Sequence, residues 1–108
     1  MLRWAKKLYV DESMGEVKSL VMLKKRIEHN WFAGDVYLIT SPTNPANTAD
    51  IHSLKNLKFP YYKRREIIVY GLAKGAGKAN ELFAKIALEA MSENGEKPDL
   101  KEYFKELC

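Results

Sequence analysis

The sequence contains a single cysteine, Cys108, and that scarcity removes whole classes of protein at once. No intrachain disulfide can form and a cysteine-rich metal cluster has no ligands. A chain without disulfides reads as one made for a reducing compartment, so a cytoplasmic location is expected. Histidine is nearly as scarce: His29 and His52 are the whole supply, and neither has a metal-ligand partner at i+3 or i+4. No metal site and no cofactor is therefore expected, and the two imidazoles are read as surface or capping groups. The nucleophile signatures G-x-S-x-G and H-E-x-x-H are missing as well. Cys108, at the very end, is poorly placed for a positioned nucleophile. An enzyme is accordingly the least expected function. Long apolar runs are also lacking, and nothing approaches the ~18–20 residues of a membrane span. The opening stretch MLRWAKKLYVDESMGE has neither the unbroken apolar core nor the cleavage site of a secretory signal. No membrane partner is expected.

What is present is the ordinary balance of a globular protein: 108 residues, 46% hydrophobic and 30% charged. That suits one domain over 1–108. The net charge is +4 but unevenly spread. Residues 55–78 set Lys55, Lys58, Lys63, Arg64, Arg65, Lys74 and Lys78 against Glu66, while residues 79–108 are rich in glutamate. A basic middle facing an acidic tail serves intramolecular charge matching as readily as a ligand, so nucleic acid is only weakly indicated.

Periodicity gives the element order. Lys6 to Val10 reads as a strand, and Ser13 with Glu16 forms a capping-box pattern ahead of Val17, Leu20, Val21, Leu23 and Ile27 at helical spacing. Residues 35–40 form a β-branched and aromatic run. Asn44-Pro45 then reads as a helix start, predicting a short helix over 46–57. Residues 66–72 make the clearest strand, followed by a glycine-rich turn and a helix marked by Ala79, Leu82, Phe83, Ile86, Ala87, Ala90 and Met91. A last helix is predicted from Leu100, Tyr103, Phe104 and Leu107. The order β-α-β-α-β-α-α predicts an α/β fold with a small, three-stranded, mainly parallel sheet and helices packed on it. Two open sheet edges, and tryptophans at 4 and 31 able to serve either core or contact, lead us to expect a homodimer.

In a parallel sheet all strand C-termini open on one edge, where ligands bind. That edge would gather Asp11 and Ser13 from the first turn, Ser41, Thr43 and Asn44 from the second, and Lys74, Gly75, Gly77 and Lys78 from the third. The third turn carries the most chemistry: glycines admit close approach, lysines add charge, and a helix N-terminus attracts anions. A phosphorylated small molecule is the expected ligand. The phosphate-binding P-loop pattern itself fails, because Ala76 stands where glycine is required and Gly77 where lysine is. A second surface competes: Tyr61, Tyr62, Lys63, Arg64 and Arg65 interleave rings with cations, the mix that stacks bases and neutralises phosphates. A nucleic-acid-binding module and a protein-interaction or structural homo-oligomer are the alternatives to an anion-binding adaptor.

Overall fold

A computed structural model describes residues 2–15, 19–28, 36–42, 46, 48–56 and 66–94, with the backbone alone for 92–94. Strand β1 (Leu2–Val10) leads through a 3-10 turn (Glu12–Met14) to helix α1 (Leu20–Glu28). Strands β2 (Val36–Thr40), β3 (Asp50–Ser53) and β4 (Ile67–Lys74) follow, and helix α2 (Ala76–Asn94) closes the described part. The sheet has four strands in the order β1-β4-β2-β3. β1 lies parallel to β4, whereas β2 runs antiparallel to both β4 and β3.

The class is α/β, but the three-stranded, mainly parallel sheet expected from the sequence is corrected to a four-stranded mixed one. The helix expected over 46–57 is replaced by β3, whose residues pair with β2 from Tyr37↔Ser53 to Thr40↔Asp50. That segment offers only Ile51, Leu54 and Leu57 as large apolar residues, too few to bury a helical face. Backbone pairing with β2 outweighs its local preference. Two helices are described; the expected last helix and the Trp31-Phe32 pair lie outside the described residues.

The start of α1 is also corrected. The Ser13 hydroxyl, expected to open a capping box with Glu16, accepts the Lys74 N–H instead, and the chain leaves the 3-10 turn at Gly15 with φ 81°; Glu16 lies outside the described residues. Helix α1 is capped instead by Ser19, whose Oγ accepts the Met22 N–H at 3.3 Å.

Side chains alternate between two cores, one on each face of the sheet. Ile39, Tyr70 and Ala73 meet α2 through Ala79, Leu82, Ile86 and Ala90. On the other face Val36, Leu38, Val69 and Leu72 meet Leu23 and Ile27 of α1, with Trp4 packed against them. Trp4, half-buried, thus packs against the core. Each fully buried aliphatic side chain contributes about 1.5–3 kcal/mol, so β2 and β4, covered on both faces, anchor the fold. Within β4 the alternation slips: Ile39 pairs with Gly71 but Thr40 with Val69, leaving Tyr70 as the extra residue of a β-bulge. The outer strand β1 is more irregular, since the stretch from Trp4 to Tyr9 matches only Val69 to Gly71 on β4. Exposed Lys6 and Lys7 sit in this looped-out stretch, which blunts the edge against pairing with another strand.

Candidate functional site

Because β1 and β4 are parallel, both end at the same edge. The ladder continues one residue past β1, with the Asp11 N–H donating to Leu72 O at 2.8 Å. Asp11 then caps the 3-10 turn, its Oδ2 accepting the Ser13 N–H at 2.9 Å. The Ser13 Oγ in turn accepts the Lys74 N–H at 2.9 Å, joining residues 61 positions apart in the chain. β4 passes into α2 through one residue, Gly75, held at φ 87°, a left-handed conformation that suits glycine. The first turn of α2 follows, with its N–H groups pointing back toward this edge. Lys74, Gly77 and Lys78 are exposed there, and Gly75 half-exposed. A side chain at Gly77 would meet no atom within 4 Å.

The charges at this edge are of both signs. Asp11 is only 5% exposed. Its carboxyl is held below the ordinary range, chiefly by the Ser13 side-chain hydrogen bond and also by the Ser13 N–H, Lys85 and Lys78, against the opposing effect of burial. Lys78 is raised above its ordinary value, first by its hydrogen bond and charge contact with Glu81 and then by Asp11 and Glu12. Its Nζ lies 3.1 Å from Glu81 Oε2. The sequence placed Asp11 at this edge; its part as cap and internal counter-ion emerges only from the pairing of β1 with β4.

Ser41, the other expected site residue among those described, does not join this group. Ser41 stands at the opposite end of the sheet, because β2 runs against β4: its N–H donates to Ile68 O at 2.8 Å and its Oγ accepts the Ile68 N–H at 3.1 Å. The single ligand edge expected from a parallel sheet is therefore split in two, and Ser41 is corrected to a residue that extends the ladder. Thr43 and Asn44 lie outside the described residues, as do Tyr61, Tyr62, Lys63, Arg64 and Arg65.

Two further polar groups were not anticipated. His52, expected on a helix, lies on β3 with its side chain 12% exposed and its Nε2 3.4 Å from Asp50 Oδ2. The signal was the Asp-x-His spacing, which places both side chains on one face only if the segment is a strand. On β1, Tyr9 donates to Glu89 Oε2 at 2.6 Å, Lys7 Nζ approaches the same oxygen at 3.5 Å, and Glu89 is held low by Tyr9 first and then Lys7, against burial. Among the described residues no three histidine, cysteine or acidic side chains gather as metal ligands would.

Set beside known proteins, the chain matches no protein-family model, no curated protein and no solved structure.

Proposed function

We propose that this chain is a small non-enzymatic α/β binding or adaptor domain that takes an anionic or phosphorylated ligand where β4 turns into α2. One observation carries the reading: the exposed first turn of α2 follows a single left-handed glycine at the edge where β1 and β4 both end. Unsatisfied N–H groups and the helix dipole favour an anion there. Lys74 and Lys78 add positive charge from either side of Gly75. Glu81 and Asp11 oppose them, so an anionic ligand competes with Glu81 for the exposed Lys78 ammonium, and binding should be salt-sensitive. A cytoplasmic location belongs to the same proposal, and no described helix is long and apolar enough to cross a membrane.

The test is a backbone amide NMR titration with inorganic phosphate, pyrophosphate and a nucleoside monophosphate. The expected result is saturable shifts at Ser13 and from Gly75 to Lys78, with none at Ser41. Gly77→Val supplies the control: its side chain enters open space in the protein, yet would crowd a phosphate approaching the helix end. Absence of saturable shifts at 75–78, or undiminished binding by the folded Gly77→Val protein, defeats the reading.

The homodimer is kept within this proposal, through a surface other than the blunted β1 edge. Light scattering that returns the mass of one chain at micromolar concentration removes it. The nucleic-acid alternative rests on Tyr61, Tyr62, Lys63, Arg64 and Arg65 alone, and no described residue adds to it.

A further inference from the structure

The large apolar side chains left exposed among the described residues fall in two places, Leu20, Val21 and Met22 on α1 and Leu88 and Met91 on α2. The α1 group is the denser: three consecutive residues, 48%, 63% and 47% exposed, while Leu23 and Ile27 point inward. At about 100° per residue, Val21 and Met22 face away from the sheet. Lys25 and Arg26, both exposed, continue their rows one turn later. Lys24 is turned aside over the Trp4 ring, 5.8 Å from its centroid. The outward face of α1 is therefore an apolar turn followed by a cationic turn.

Charge and shape together select the occupant. A second copy meeting α1 through its own α1 would bring two sets of cations into one contact. The exposed pair on α2 offers no better match, because Glu89, the carboxylate beside Leu88, is already shared between Tyr9 at 2.6 Å and Lys7 at 3.5 Å. Among the described residues a single strand of nucleic acid would find no open aromatic platform on this face, since Trp4 is half-buried, its ring lies under Lys24 and its Nε1 donates to Glu28 at 2.9 Å. A lipid surface calls for a helix with a continuous apolar face, whereas α1 has 9 residues and one apolar turn outward. An acidic amphipathic helix satisfies both halves at once, with apolar side chains over the first turn and carboxylates over the second.

We propose that the outward face of α1 is a docking surface for an acidic amphipathic helix of a partner protein, held by Leu20, Val21 and Met22 and oriented by Lys25 and Arg26. The test uses a synthetic amphipathic helix with leucines along one face and flanking glutamates, beside a counterpart in which every glutamate is lysine. Binding is read by fluorescence anisotropy at low salt. The acidic peptide is expected to bind about tenfold or more tightly than the basic one, and V21S/M22S to weaken it by about tenfold, the change set by roughly one lost apolar contact. K25E/R26E is expected to reverse the preference between the peptides. All four positions are exposed, so both variants should keep the native circular dichroism spectrum. Failure of the acidic peptide to bind, or equal binding by parent and both variants, overturns the proposal. Binding to vesicles rich in phosphatidylserine in preference to the peptide overturns it in favour of a membrane contact.

Discussion

The middle of β4 and its far end carry glycines that look alike in sequence and differ in what the structure asks of them. Gly71 lies inside the strand at the bulge, where an added Cβ would sit 3.1 Å from Leu82 Cδ2, 3.3 Å from Ile39 Cδ1 and 3.4 Å from Tyr9 O. It is a site of close packing between β4 and α2. Gly75 has open space around it but a φ of 87°, so its constraint is conformational. Gly77 has neither constraint. A stretch that reads as one glycine-rich turn therefore divides into a packed core position, a chain reversal and an open helical position. Only the last two belong to the proposed ligand edge.

Four measurements break or sharpen that contrast. The largest effect is expected for Gly71→Ala, which forces atoms into a filled core and should cost about 1–3 kcal/mol in urea unfolding. A cost near zero would mean that α2 packs less closely on β4 than the 3.1 Å approach of Leu82 Cδ2 implies. Gly75→Ala should cost about 1–2 kcal/mol, the penalty of placing a side chain in the left-handed region, with no change in core packing. The thermal midpoint of each variant and its near-ultraviolet circular dichroism separate the two cases, since only Gly71→Ala should disturb the aromatic environment of Tyr9 and Tyr70. Gly77→Ala should carry the opposite sign, stabilising the protein by about 0.5–1 kcal/mol because alanine is the better helix former at an unhindered helical position.

The smallest effect is expected from Asp11→Asn, which keeps a capping side chain and removes only the charge. The folded carboxyl lies below its ordinary value, so its contribution is present above the unfolded pKa of about 3.9 and is lost as pH falls through the lowered folded value. Parent and variant should therefore converge in stability toward the acid end, with the parent more stable near neutrality. Identical acid limbs in the two proteins would show that Asp11 is not the internal counter-ion of this edge.

How much of this was legible depends on the kind of signal. β2, β4 and α2 were readable because runs such as Val36-Tyr37-Leu38-Ile39 and a stripe such as Ala79, Leu82, Ile86 and Ala90 carry their periods in the chain itself. β3 was not, because Asp50-Ile51-His52-Ser53 has one β-branched aliphatic residue and no alternation to announce it. Its strand character comes from the ladder with β2. Of the candidate edge, Lys74, Gly75, Gly77 and Lys78 adjoin one another in sequence and stay together. Ser13 joins them through Lys74 N–H, and Ser41 leaves them with the reversal of β2.

The sequence by itself determined the α/β class, the helical face of α2 and the strand at β4, since each follows from hydrophobic spacing within a dozen or so neighbouring residues. The direction of β2, the presence of β3 and hence which turns share an edge were decided only in three dimensions. A strand buried on both faces, like β2 with Leu38 in one core and Ile39 in the other, shows the same apolar run whichever way it points. Its direction follows from pairing with distant partners and from the backbone hydrogen bonds those partners can satisfy.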